Sequence, residues 1–115
     1  MTFHRIAPIF PVTDLATSLA FYARLGFDTR AYAGGGYGFA TGDGVELHLG
    51  TQPQGVAVTR SSAYLFVDDA DEVAAAWRTA GAEVHTPVDT EWGQHEGTLV
   101  DPDGNVIRFG SPMTP

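Results

Sequence analysis

The stretch VTDLATSLAFYARLG (residues 12–26) decides the reading, because VDDADEVAAAWRTAG (residues 67–81) repeats its plan 55 positions later. At that offset Val12 answers Val67, Asp14 answers Asp69, Ala20 answers Ala75, Tyr22 answers Trp77 and Gly26 answers Gly81. Repetition at a fixed spacing means one supersecondary unit built twice. Each stretch predicts a short amphipathic helix, with Leu15, Leu19, Tyr22 and Leu25 on one stripe and Ala70, Val73, Trp77 and Ala80 on the other. Thr13/Asp14 and Asp68/Asp69 supply oxygens for the unpaired N–H groups of a first helical turn. Gly26 and Gly81 sit where a helix ends on a left-handed residue.

Working outward, a strand-like run precedes each helix: Ile6 to Val12, and Ala63 to Val67. Three β segments follow each. In the first half they are Phe27 to Tyr32, Tyr37 to Ala40, and Val45 to Leu49 after the turn Gly42-Asp43-Gly44. In the second they are Glu83 to Thr86, Glu96 to Val100, and Val106 to Phe109 after Asp101-Pro102-Asp103-Gly104-Asn105. Aligning the two Asp-Gly turns gives an offset of 60. The expected fold class is therefore α+β: two βαβββ modules in tandem, forming a curved mixed sheet around a cleft. One domain of 115 residues is expected, with module one at about 1–50, a linker at 51–61 and module two at about 62–115.

Composition excludes several chemistries. With no cysteine there is no disulfide, thiolate nucleophile or cysteine metal site. All six bases are arginine, so a lysine Schiff base and a P-loop are out as well. A net charge of −8 repels phosphate backbones and suits a cationic ligand, although acids also serve solubility. No apolar run approaches the ~18 residues of a membrane span, and the N-terminus lacks a signal peptide's apolar core. The expectation is a cytoplasmic protein that contacts neither membrane nor nucleic acid.

The segments VTDLATSLAFY (12–22), RLGF (24–27), ELHL (46–49), Trp92-Gly93 and DPDGNVI (101–107) together resemble the glyoxalase/bleomycin-resistance/extradiol-dioxygenase (vicinal oxygen chelate) superfamily. The resemblance implies four cavity-facing strand positions that hold metal in the enzymes of the group, here Ala7, His48, Ser62 and Arg108. The internal offsets agree with that mapping. Of the four only His48 is a good ligand, since alanine has no donor, serine is poor and a guanidinium repels a cation. No metal, no cofactor and no catalytic residue are therefore expected.

The bleomycin-resistance branch is the better match in detail. The resemblance implies a homodimer in which Pro8 lets the N-terminal strand cross to the partner, with Tyr37 and Trp92 clamping a flat aromatic group. Glu46, His48, Ser62 and Arg108 would line the ligand groove. The function implied is sequestration of a bleomycin-like, cationic, planar antibiotic. The alternative is a metal-dependent lyase, isomerase or dioxygenase of the same superfamily, with a rearranged site around His48, Glu46 and His95.

The residues can also be read without the resemblance. Trp92 lies in a polar stretch beside a glycine, unlike Trp77, which suits a core. Tyr37, flanked by glycines, reads equally well as a hairpin residue. Glu46 and His48 alternate with Leu47 and Leu49, so they face either the cavity or solvent according to register. His95 and Glu96, adjacent on a strand, point to opposite faces. Gly34-Gly35-Gly36 opens no helix and so offers no phosphate site; it reads as a lid or as a slack hairpin loop.

Overall fold

In the computed structural model, residues 1–53, 55–57 and 59–113 are described; positions 54 and 58 of the expected linker and 114–115 lie outside them. The chain divides into two compact units, residues 1–59 and 60 onward. Unit 1 runs β1 (Ile9–Val12), α1 (Leu15–Arg24), β2 (Asp28–Ala31), β3 (Tyr37–Gly42) and β4 (Val45–Thr51). Unit 2 runs β5 (Ser62–Phe66), α2 (Ala70–Thr79), β6 (Glu83–Asp89), β7 (Gln94–Val100) and β8 (Val106–Pro112). The sheets have the orders β1-β4-β3-β2 and β5-β8-β7-β6. In each, the first strand pairs in parallel with the last and the other pairs are antiparallel. This is an α+β chain of two tandem βαβββ modules.

The repeat persists in the hydrogen-bond register. Ile9 pairs with His48 and Tyr64 with Arg108, which reproduces the offsets of 55 and 60 on paired strands. The caps match too. Asp14 accepts from Thr17 N at 3.0 Å and Asp69 from Glu72 N at 3.1 Å, each from an extended backbone. Gly26 (φ 103°) and Gly81 (φ 91°) close the helices, and Phe27 N and Ala82 N reach back to Tyr22 O and Trp77 O.

Each unit's core lies between its helix and one face of its sheet. Unit 1 buries Phe10, Val12, Phe21, Tyr22, Leu47 and Leu49, and unit 2 buries Trp77, Leu99, Ile107 and Phe109, with the rings of Trp77 and Phe109 edge to face at 5.1 Å. α1 is turned relative to the stripe expected from sequence, whereas α2 keeps Ala70 and Trp77 of its stripe buried. α1 buries Ser18, Phe21 and Tyr22 while Leu15, Leu19 and Leu25 are half-buried, and α2 buries Ala70, Ala74 and Trp77 with Val73 half-buried. Small side chains at Ser18, Ala70 and Ala74 let the helix backbone approach the sheet, and the leucines close the flank. Glycines facing each helix serve the same end. A Cβ at Gly97 would lie 2.6 Å from the Phe109 ring, and one at Gly38 3.0 Å from Leu19.

The strand boundaries differ from expectation in detail. β1 starts at Ile9 rather than Ile6, and residues 1–8 form no regular element. Pro8 has no N–H to give a ladder, although its carbonyl accepts from His48 N at 3.0 Å. The other strands mostly run longer, β8 extending to Pro112 through Ser111, whose hydroxyl accepts from Ala70 N at the start of α2. Among the described residues no helix is long and apolar enough to cross a membrane.

Candidate functional site

The leucines settle the register of β4. Leu47 and Leu49 are buried towards α1, so Glu46 and His48 occupy the face of the sheet that the helix leaves uncovered. Tyr37 and Phe39 share that face, since the intervening Gly38 meets helix side chains. Tyr37 Oη and His48 Nδ1 are hydrogen-bonded at 2.8 Å, and the Tyr37 and Phe39 rings stand edge-on to the imidazole. The Arg30 guanidinium caps Phe39 at 4.1 Å from its centroid. Glu46 is ion-paired with Arg5, and its Oε2 lies 3.4 Å from His48 Nε2. The Tyr37 ring rests over Gly50, where a Cβ would come within 3.2 Å of it. This face is aromatic, and the carboxylate of Glu46 on it is met by Arg5.

The Gly34–Gly36 segment is a tight turn. Gly35 N donates to Tyr32 O, and Gly36 O accepts from both the backbone N and the hydroxyl of Thr51. Gly35 and Gly36 both take positive φ, which favours glycine there.

Unit 2 finishes the same face differently. On β7, Gly97 and Leu99 point to the core, leaving Gln94, Glu96 and Thr98 on the uncovered side with Ser62, Tyr64 and Phe66 of β5 and Arg108 of β8. Trp92, in the turn between β6 and β7, is 65% exposed. Its indole N–H donates to Glu96 Oε1 at 3.3 Å. Burial pushes the Tyr64 phenol pKa up, and the hydrogen bond and charge of Glu96 push the same way against Arg108. Gly110, paired with Glu96 across the ladder, leaves room for Tyr64 Oη: a Cβ there would lie 2.1 Å from that oxygen. Beside it, Gln94 Oε1 is buried without a hydrogen-bond partner among the described residues.

His95 takes the opposite side, as its adjacency to Glu96 predicts. Its Nε2 meets Asp71 of α2 at 2.9 Å and its Nδ1 meets Asp89 of β6 at 2.8 Å. The hydrogen bond to Asp71, then that to Asp89, raises its pKa above the ordinary histidine value. A site joining His95 to Glu96's face is thereby ruled out within unit 2. The donor set does not fit a catalytic divalent metal: His48 Nδ1 is engaged by Tyr37, Ala7 has no donor and Arg108 brings a positive charge. Among the described residues no three His, Asp or Glu side chains come together as a metal cage.

The DPDGN loop is structural. Asp101 Oδ1 accepts from Asp103 N and Asn105 N, its Oδ2 accepts from Asn105 Nδ2, and Asn105 Oδ1 accepts from Ser61 N, tying the β7–β8 turn to the approach to β5.

This duplicated scaffold matches the family model of the Glyoxalase/Bleomycin resistance protein/Dioxygenase superfamily over residues 2–109. The chain belongs to that superfamily. Among solved structures it is similar to a bleomycin resistance determinant encoded on the transposon Tn5, at 25% identity and TM-score 0.84, covering 97% of this chain and 100% of that one. It is also similar to a bleomycin-binding protein complexed with bleomycin (26% identity, TM-score 0.81, 96% and 100% covered). The antibiotic-binding protein TnmS3 from a Streptomyces strain matches at 26% identity and TM-score 0.79, over 98% and 99% of the two chains. A comparison with curated proteins found no match.

Of the residues singled out from sequence, Glu46, His48 and Tyr37 come together in unit 1, and Ser62 and Arg108 share a face in unit 2, where Trp92 bonds Glu96. Pro8 stands just before β1. Sequence reasoning missed Tyr64, Phe66, Gln94 and Glu96 as one cluster. The alternation of β5, with Ser62, Tyr64 and Phe66 against Ala63 and Leu65, carried the signal.

Proposed function

We propose that this superfamily member is a stoichiometric binding protein that sequesters a planar, cationic antibiotic of the bleomycin kind without a catalytic metal. One observation carries the reading. Trp92, the aromatic residue at a clamp position, holds its indole outward on a turn rather than in the core. An exposed tryptophan fixed at its N–H end presents a rigid stacking surface at little entropic cost. Tyr37, fixed by His48, offers a second one. Glu46, His48, Ser62 and Arg108 supply polar contacts. The net charge of −8 draws a cation towards the protein. Resistance by this route needs no turnover, only an affinity tighter than the drug's target can compete with. We place the protein in the cytoplasm as a homodimer, with Pro8 at the point where the N-terminal segment crosses to its partner. Phe3 and Ile6 are 87% and 96% exposed on a single chain, and such a segment needs a cover.

The experiment is a fluorescence titration of bleomycin into wild type and Trp92→Ala, read through the remaining tryptophan and by calorimetry. Loss of a stacking anchor costs ~2 kcal/mol, so affinity should fall by roughly thirtyfold with the fold intact. Equal affinity in the variant removes Trp92 from the site.

A further inference from the structure

Resting on the antibiotic-binding reading but naming the chemistry of its charged end, we infer that Glu96 and Gln94, walled by Trp92, Tyr64 and Phe66 over Gly110, form a notch for an N–H-bearing cation, a primary ammonium or an amidinium.

Charge comes first. In unit 1 the carboxylate of Glu46 is met by Arg5 and faces His48. Among the described residues Glu96 has no arginine or histidine within ion-pair distance. The adjacent His95 faces away and is taken by Asp71 and Asp89. Glu96 is held only by neutral donors, the Trp92 indole N–H and the Tyr64 hydroxyl. Such donors orient a carboxylate without cancelling its charge, so the notch stays negative.

The walls come second. Tyr64 and Phe66 stand with ring centroids 4.9 Å apart, and Phe66 is 75% exposed. Aromatic faces beside one carboxylate favour a cation with an apolar body. Gly110 supplies the depth, because any side chain there would meet Tyr64 Oη and Gln94 Oε1.

Gln94 decides the kind of cation. Its Oε1 is a buried acceptor with no partner among the described residues, 3.3 Å from the Cβ position at Gly110 and so beside the same floor. A buried acceptor left unpaired is costly, and a cation with two or more N–H groups can satisfy it together with Glu96. A quaternary ammonium or a sulfonium has no hydrogen to give. Arg108, paired with Tyr64 and two residues before Gly110 on β8, borders the notch and sets a limit, since it favours one compact cation over an extended polycation.

The test uses small probes, so that it does not depend on the antibiotic. The Trp92 Nε1–H resonance of full-length wild type is followed during titration with benzamidinium, phenyltrimethylammonium and benzamide. Benzamidinium is expected to shift it saturably, at least tenfold tighter than either other probe. Glu96→Gln should erase that preference, and Gln94→Leu should bring benzamidinium down to the level of phenyltrimethylammonium. Both changes lie on the uncovered face, and a far-UV spectrum checks the fold. Equal shifts from all three probes, no shift from benzamidinium, or a Glu96→Gln variant that keeps the preference overturns the notch. Failure of bleomycin to bind while benzamidinium still discriminates overturns the antibiotic reading instead.

Discussion

The uncovered sheet faces of the two units are built on one register and finished with different chemistry. Tyr37 pairs with Gly50 in unit 1 where Glu96 pairs with Gly110 in unit 2. His48 pairs with Ile9 where Arg108 pairs with Tyr64. Each unit lays a tyrosine ring over the glycine of its last strand, but from different strands: Tyr37 reaches Gly50 from β3, and Tyr64 reaches Gly110 from β5. In unit 1 the ring is locked to His48 and the acid is neutralised by Arg5. In unit 2, among the described residues, Glu96 has no base within ion-pair distance, and the tryptophan stands exposed. The helix-facing sides, by contrast, obey one rule in both units: a capping aspartate, a closing glycine and a buried aromatic anchor. Duplication has kept what folds and altered what the uncovered faces present.

The sharpest break in that comparison is in the core. Trp77→Ala should cost ~3–5 kcal/mol of stability by emptying a filled position, with little effect on ligand affinity, as chemical denaturation beside a binding titration will show. Trp92→Ala should do the reverse.

Next in size are the two helix-facing glycines. Gly97→Ala drives a methyl group into the Phe109 ring, itself packed on Trp77, and into the carbonyl of His85 at 3.0 Å. Overpacking of this kind costs ~1–3 kcal/mol. Gly38→Ala meets the flexible ends of Leu15 and Leu19 first, so its penalty should be smaller. If the two cost the same, the ends of the leucines yield no better than the ring does.

The caps should behave as a matched pair. Asp14→Ala and Asp69→Ala each remove one bond to a first-turn amide, and each should cost ~1 kcal/mol in melting experiments on the single variants. A large inequality would show that the repeat is not energetically equivalent.

The smallest effect depends on pH. His95 bridges Asp71 and Asp89, and its pKa is raised in the folded state by those two bonds. The charged groups nearest in sequence on the elements it joins are all acids: Asp69 and Glu72 around Asp71, and Glu91 after Asp89. Protonated histidine is therefore favoured by folding. Its contribution is complete below the unfolded value of about 6.5 and is lost as pH rises through the higher folded value. Wild type should exceed His95→Gln in melting temperature at pH 6, and the gap should narrow by pH 9. A gap that widens with pH would mean the imidazole is neutral in the fold. The register counterpart in unit 1, one residue before Tyr37, is Gly36, which has no side chain to titrate.

The fold was legible because its signals are local. The offset of 55, the two capping aspartates and the two Asp-Gly turns each fix a backbone event within a few residues, and all of them recur in the structure. That Glu46 and His48 share a face followed from their alternation with Leu47 and Leu49, while the burial of those leucines shows which face it is. The turn of α1 was not legible, because a stripe of leucines outweighs Ser18 in hydrophobicity while tight packing against a sheet favours the small residue. The Glu96 cluster stayed hidden because its parts are remote in sequence: Tyr64, Trp92, Glu96 and Gly110 meet only through the β5-β8-β7 order. The resemblance set Trp92 with Tyr37 as a clamp, whereas the strand register makes Glu96 the counterpart of Tyr37.

Whether an antibiotic is held rather than transformed is decided by one titration. Chelator-treated protein is titrated calorimetrically with metal-free bleomycin, and the ligand is then recovered and weighed by mass spectrometry. Binding should be saturable at a fixed stoichiometry, unchanged by added divalent metal, with the ligand recovered at its original mass. Binding only after metal is restored, or recovery of a ligand altered in mass, would contradict sequestration.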